Sequence, residues 1–459
     1  MQAKTCFTAM RLNLQPYKDL LKLGMPLVIG QLGMIVIGFA DTLMIGHHST
    51  SELAAASFVN GMINLAIIFG TGFAYGLTPL VGSLFGQGKK EDAGRLLKNS
   101  LATNLLVAVV LCIILGILYL NLGNLGQPVE LLPYMRPYFL ILLSAMPFVL
   151  IFNGFRQFTD GITDTKVSMF MLLGGNVVHV FSNYLLIYGK CGLPELGLTG
   201  AGVSTLLVRI LLVAAYVLLL SKSKRYAIYR KGFFKGHINR KDFLHLTKVG
   251  LPVACQMGME TASFGLSVIM VGWLGSLALA AHQVMLAISQ LCFMMLYGMG
   301  SATAVRISYF YGQGDMEKVK RTANTGFHIV LLMVICTILP ILLLRNVLGG
   351  WFTDNVEVSA IVAQLVLMLA LYQFGDGLQI TFANALRGIT DVKLIMLFSF
   401  IAYFVISLPS GYLFGFVFGW GIVGIWAAFP FGLTSAGIMF YLRFRYKTDR
   451  LMKESGKLP

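Results

Sequence analysis

The sequence predicts an all-α integral membrane protein, with twelve transmembrane helices in two pseudo-twofold related six-helix bundles. Three observations predict it. Apolar runs of about 20 residues recur along the whole length. Basic residues gather in alternate connections. The first half of the chain returns, in order, in the second.

Hydrophobic residues make up 57% of the 459 and charged residues only 12%, against roughly 25% charged in a soluble domain. The apolar runs are read as 20–46, 53–84, 95–120, 133–155, 165–188, 197–221, 245–273, 278–310, 320–345, 358–384, 392–416 and 420–444. No soluble domain fits in the gaps.

The net charge of +16 raises the question of nucleic acid, but its distribution argues against such a partner. Lys222, Lys224, Arg225, Arg230, Lys231 and Lys235 crowd the middle connection, Lys89 and Lys90 follow the second run, Lys318 and Lys320 follow the eighth, and Arg443 to Lys457 close the chain. The alternate loops His47–Glu52, Gly275–Leu277 and Asn346–Glu357 hold no Lys or Arg. Arg136, Lys190 and Arg345 are isolated exceptions. This is the positive-inside asymmetry, and it places both termini and the middle loop in the cytoplasm. Lys4, Arg11, Lys18 and Lys22 form a basic lead into a first span that is read as retained, not as a cleaved signal. Six scattered cysteines, Cys6 among them, show no metal spacing and no disulfide framework.

Shifted by 226 or 227 residues, the chain matches itself. Gly24-Met25-Pro26 meets Gly250-Leu251-Pro252, Leu53-Ala54-Ala55 meets Leu279-Ala280-Ala281, and Phe85-Gly86-Gln87-Gly88 meets Tyr311-Gly312-Gln313-Gly314. Gly161-Ile162-Thr163-Asp164 returns unchanged as Gly388-Ile389-Thr390-Asp391. The expected organisation is an N-terminal half (1–221), a basic linker (222–244), a C-terminal half (245–446) and a basic tail (447–459). Six spans per half give both halves the same orientation, and transporters built this way hold cargo near the midplane. Pro26 and Pro252 are expected to bend the first helix of each half.

Asp41, Glu260 and Asp376 lie deep inside apolar runs, whereas the other sixteen acids are read as lying in loops, tails or near segment ends. A charge at a bilayer centre costs about 2.5–3.5 kcal/mol on insertion scales. The acids also break the repeat: Glu260 maps to Met34, Asp376 to Val149 or Leu150, and Asp41 to Ser267. A folding requirement shared by both halves would tend to repeat, whereas a single cation pathway need not. Tyr372 and Asp376 are four apart on one helix face, a phenol and a carboxylate suited to a hard cation. Glu260 lies one turn from Gln256 and Phe264, and Phe264 offers a ring face to a cation. The alternative for a buried carboxylate is pairing with Arg209, His179, His282 or His328.

Burial disfavours the charged form of a carboxyl, so Asp41 can be neutral in one state and ionised in another. The alternative is a helix-end residue exposed at the outer leaflet. His179, Asn183 and Asn176 share a face of the fifth span and either glue helices or face a cavity; the same alternatives hold for His282 and Gln283. Arg209 is read as the one basic residue well inside a span, with no role assigned. No Walker motif, zincin pattern or serine elbow is present, which argues against ATP-driven transport by this chain alone.

Together, Asp41 in Phe39-Ala40-Asp41-Thr42-Leu43-Met44-Ile45-Gly46, the two Gly-Gln-Gly loops, Asn183-Tyr184, Glu260 in Gly258-Met259-Glu260-Thr261-Ala262-Ser263-Phe264-Gly265, and Tyr372 with Asp376 resemble the multidrug and toxic compound extrusion (MATE) family, NorM-type branch, over nearly the whole chain. The resemblance implies a multi-pass antiporter of the inner membrane. It would export small-molecule organic cations and amphipathic drugs against inward Na⁺ or H⁺, with no cofactor beyond the coupling ion, and is expected to work as a monomer among membrane lipid. It implies a cation cluster of Glu260, Tyr372 and Asp376, and a polar N-terminal site of Asp41 and Asn183. His179 departs from the Asn expected there, and His can carry a proton near neutral pH.

Two rival readings are a lipid-linked precursor flippase and an intramembrane acyltransferase. The first would need a basic cavity, against which the central acids and the scarcity of intramembrane Arg argue. The second would need a His–acid pair within hydrogen-bond reach.

Overall fold

The computed structural model describes residues 14–454; Lys4, Cys6, Arg11 and Lys457 lie outside them. Among the described residues every regular element is helical. The first six spans are Gln15–His48, Thr50–Gly86, Lys90–Leu120, Leu132–Gly161, Thr165–Ile187 and Gly197–Lys222. The second six are Arg240–Gly272, Ser276–Gly312, Met316–Leu343, Val356–Gly388, Lys393–Val417 and Gly421–Glu454. Eleven of the twelve are long and apolar enough to cross a membrane on those grounds alone. The seventh, Arg240–Gly272, has the length but opens with Arg240, Lys241 and Asp242 and carries Glu260.

Ser49, Asn239, Asp315 and Asn355 accept backbone N–H groups at the starts of the second, seventh, ninth and tenth spans, satisfying donors that a helix start leaves free. The helix runs unbroken through Pro26 and through Pro252. The middle connection, expected only as a linker, contains a short helix, Ala227–Lys235. The tail expected from residue 447 continues the twelfth helix to Glu454.

The repeated motifs are helix ends. In both Gly-Ile-Thr-Asp copies, the Asp N–H reaches back five residues, Asp164 to the Thr159 carbonyl and Asp391 to the Leu386 carbonyl. Thr163 (φ 65°) and Thr390 (φ 60°) take the left-handed conformation that such caps usually give to glycine. Asp164 then accepts from Tyr226 and Arg225, and Asp391 from Arg443. The last glycine of each Gly-Gln-Gly motif plays the same cap role with φ 76° at Gly88 and 74° at Gly314.

The first glycine of each motif serves a different purpose: it joins the halves. A Cβ on Gly86 would collide with the Tyr309 carbonyl, and one on Gly312 with the Ser83 carbonyl. These contacts are the same contact seen from each half, since Ser83 and Tyr309 are 226 apart. The relation recurs. A Cβ at Gly76 would lie 2.7 Å from Gly250 Cα, and its mate at Gly24 meets Ala302 at 3.2 Å. A Cβ at Gly72 would lie 2.9 Å from Ala254 Cα, and its mate at Gly298 meets Val28 Cα at 2.7 Å. These approaches all lie toward the end of the bundle that carries the basic loops. They pin the first and second spans to the seventh and eighth there.

Candidate functional site

Two adjoining cavities occupy the middle of the molecule and share Asn64, Met257, Gln290, Phe293 and Tyr297 as walls. One, of about 310 Å³, lies mainly among N-terminal spans. The other, of about 570 Å³, lies mainly among C-terminal spans.

The C-terminal cavity is lined by one of the two acids predicted there. Glu260 lines it from the seventh span, and Tyr372 from the tenth, with Phe264 and Gln256 beside them. Gln256 Nε2 donates to Glu260 Oε2 at 3.4 Å, and Gln379 and the Tyr403 hydroxyl approach the same carboxylate. Gln379 Nε2 in turn donates to Tyr403 Oη at 2.6 Å. Tyr403 sits in a π-helical stretch, Ile401–Ser407, the kind of widened turn that is frequent at functional sites. Phe264 packs edge-on to Tyr372, with ring centroids 6.5 Å apart.

Asp376 lies behind this wall. Its side chain is fully buried, and neither carboxylate oxygen has a hydrogen-bond partner among the described residues. Gln373, one turn earlier, is also fully buried with both polar atoms unpartnered. Asp376 is near enough to Glu260 and Tyr372 to interact with them electrostatically. An ionised carboxylate buried without a partner is severely penalised, so it demands a proton or a cation. Carboxylate, phenol and amide oxygens are the kind of ligand a hard cation takes.

In the N-terminal cavity, Asp41 Oδ1 accepts from His179 Nε2 at 2.9 Å and from Asn183 Nδ2 at 2.6 Å. Asn176 lines the same cavity. Asp41 is not a helix-end residue, because the first helix continues to His48. Its side chain remains 30% exposed.

Several expectations need correcting. Gln283 is exposed and lines neither cavity. His282 is buried and accepts at Nδ1 from Trp426 Nε1, 3.0 Å away, an ordinary bond between the eighth and twelfth spans. Arg209 is not the only arginine inside a span. The fourth helix continues past residue 155 to Gly161, and the tenth past 384 to Gly388, which brings Arg156 and Arg387 inside. Both are 4% exposed. Arg209 and Arg156 line the N-terminal cavity, and Arg387 the C-terminal one. Arg387 Nη2 donates to Gln256 Oε1 and Nη1 to Tyr297 Oη at 3.2 Å, so it reaches Glu260 through Gln256. The scarcity of intramembrane arginine therefore does not hold. The signal that could have found Arg156 and Arg387 is the repeated Gly-Ile-Thr-Asp, whose glycine ends the helix directly after the polar residues Asp160 and Arg387.

A twelve-helix membrane bundle with an internal repeat, a central polar cavity and buried carboxylates defines a membrane transporter, not an enzyme. The MatE family model matches the chain twice, over residues 26–185 and 252–413, and the chain belongs to that family. It is 32% identical over 441 residues to the "Multidrug resistance protein NorM" of Photobacterium profundum, covering 94% of this chain and 95% of that protein. Its fold is that of an outward-facing multidrug resistance MATE family transporter of the MOP superfamily, with TM-score 0.88 at 19% identity over 95% and 97% of the two chains. A eukaryotic MATE transporter superposes with TM-score 0.83 at 18% identity over 96% and 99%.

Proposed function

We propose that the chain is a secondary multidrug efflux antiporter that exports cationic or amphipathic small molecules in exchange for Na⁺ or H⁺. The observation that carries this reading is Asp376, a fully buried carboxylate with no partner among the described residues, set beside Glu260, which faces the cavity. In this reading the incoming ion neutralises the Glu260–Asp376–Tyr372 cluster and lowers affinity for a cationic cargo. Gln256, Gln379 and Tyr403 orient Glu260, and Phe264 presents a ring face to the cargo. The N-terminal half (1–221) and the C-terminal half (245–446) then rock about the seam between them. Coupling requires that ion and cargo favour different states.

The basic ends of the helices support a cytoplasmic placement of both termini in the inner membrane. With that orientation, the glycine contacts seal the cytoplasmic side, and the present conformation is the outward-facing one. Asp41, with His179, Asn183 and Asn176, is a second polar site open to the same cavity system and serves as a relay or cargo contact. The Asp41–His179 pair has the geometry of an acid–base dyad, but in a transporter fold its role is to hold charge in the cavity.

The three cavity arginines remove one objection to a flippase for anionic lipid precursors. The same assay separates the two readings. In liposomes loaded with a fluorescent organic cation at fixed pH, efflux is measured with and without an inward sodium gradient, and again with a proton gradient alone. Efflux driven by neither gradient would sink the antiport proposal.

A further inference from the structure

Sharing walls with both cavities, at the seam of the halves, lies a third chamber of about 30 Å³. A single water occupies about 10–15 Å³ on such a measure, so the chamber holds a monatomic ion or the tip of a small group, not a drug. Its polar walls come from both halves and include Arg156, Gln157 and Asp160 from the fourth span and Arg387 from the tenth. All four are nine-tenths buried or more.

The donors there are under-used. Arg156 Nε, Arg387 Nε and Gln157 Nε2 are buried with no acceptor among the described residues. Gln157 is oriented by Thr78, whose hydroxyl donates to its Oε1 at 2.6 Å, which fixes its amide N–H group as the free end. The nearest acid does not complete the set. Asp160 Oδ2 stands 3.9 Å from Arg156 Nε, beyond hydrogen-bond range, and Asp160 Oδ1 is taken by Ser168 at 2.6 Å. Glu260 does not line this chamber; its hydrogen-bonded link to Arg387 runs through Gln256. Two guanidinium groups that cannot lose their protons thus face one chamber whose lining holds a single carboxylate, Asp160.

We propose that this chamber is a binding site for one small monovalent anion, chloride or a carboxylate group, held by Arg156, Gln157 and Arg387. The anion supplies the acceptor that three buried N–H groups lack. Because its donors belong to opposite halves, the anion bridges the seam in this conformation and is released when the halves part. A carboxylate would arrive on a zwitterionic cargo, its cationic end toward Glu260; chloride would arrive from solution. The site stands on its own geometry and does not depend on antiport; its release on parting rests on the rocking of the halves proposed above.

The test is equilibrium dialysis of the purified, detergent-solubilised chain with radiolabelled chloride, with sodium gluconate as the balancing salt and acetate as competitor. Saturable chloride binding that acetate does not displace supports an inorganic anion site, and displacement by acetate supports the carboxylate. Arg156→Gln is expected to weaken binding by roughly tenfold or more, the usual loss of a hydrogen bond to a charged group. Gln157→Glu places a tethered carboxylate in the chamber and is expected to abolish chloride binding while the protein remains folded in chloride-free buffer. That variant decides the matter should Arg156→Gln not fold. Lys453→Gln, at the exposed end of the last helix, is expected to bind as wild type does. Absence of saturable binding of either anion, or binding that survives both chamber variants, overturns the proposal.

Discussion

Gly76→Ala tests whether the halves must separate at the basic end for the transporter to work. The new Cβ would lie 2.7 Å from both Cα and N of Gly250, where ordinary contacts begin at 3.4 Å. Both obstacles are backbone atoms, so no side chain can swing aside. Gly76 has an ordinary φ of −62°, which means the cost falls on the contact and not on local conformation. The second and seventh spans must move apart by roughly 1 Å, enough to forfeit a quarter to a half of the attraction between atoms that faced each other. Overpacking of this kind costs about 1–3 kcal/mol, and a penalty confined to the sealed state lowers its share by about 5- to 150-fold. The assay is pulsed electron resonance between spin labels at Gln87 and Gln313, exposed and pseudo-symmetric positions beyond the seam, in a background without the six natural cysteines. The expected outcome is a shift of the distance distribution from short to long in Gly76→Ala, with a correspondingly altered cavity accessibility. Gly61→Ala, where a Cβ meets nothing within 4 Å, is expected to leave the distribution alone. A folded Gly76→Ala protein with the wild-type distribution would refute the idea that this contact is made in one state only.

Four further outcomes follow. Glu260→Gln and Asp376→Asn are expected to fold but to lose gradient-driven efflux from liposomes; efflux equal to wild type rejects their assigned roles. His179→Ala removes one of two donors to Asp41, and thermal unfolding should show a loss of about 0.5–1.5 kcal/mol, the ordinary worth of a hydrogen bond, since Asp41 stays partly exposed; no loss would mean the bond is idle. Thr163→Gly relieves a left-handed threonine, gaining about 0.5–1 kcal/mol after the entropy cost of glycine, and a lower melting temperature would contradict the cap assignment. Burial and the bond to Asp164 push the Tyr226 phenol above its ordinary value. Its folded-state pKa is raised, so its contribution is complete below pH about 10 and is lost as pH rises further. Tyr226→Phe should therefore unfold less steeply than wild type on the alkaline side; identical alkaline limbs would reject this.

The twelve helices were legible because a bilayer forces long apolar runs, and the repeat was legible because both copies keep the residues that cap and join helices. Glu260, Asp376 and Asp41 stood out because a charge among apolar neighbours needs a reason. What hydropathy hid was the polar end of a helix that is still inside the protein. Arg156 and Arg387 lie past the last apolar residue of their runs, so a window on hydrophobicity assigns them to loops, while the helix continues to the cap at Gly161 and Gly388. Tyr403 was invisible for another reason: its approach to Glu260 depends on the packing of the eleventh span against the seventh, which no spacing within one helix encodes. Gln283 misled because a polar residue next to a buried histidine shares its neighbourhood in sequence but points away from it around the helix.

The reciprocal glycine notches have an implication for origin. Because Gly24–Ala302 repeats as Gly250–Gly76, and Val28–Gly298 as Ala254–Gly72, the surface joining the two halves is self-complementary, as in an isologous dimer. A six-helix ancestor carrying one such surface would already have paired with its own copy. Joining two such copies in one chain would release each half from the need to match the other, so that Glu260 and Asp376 could arise on one side alone while the joint stayed symmetric.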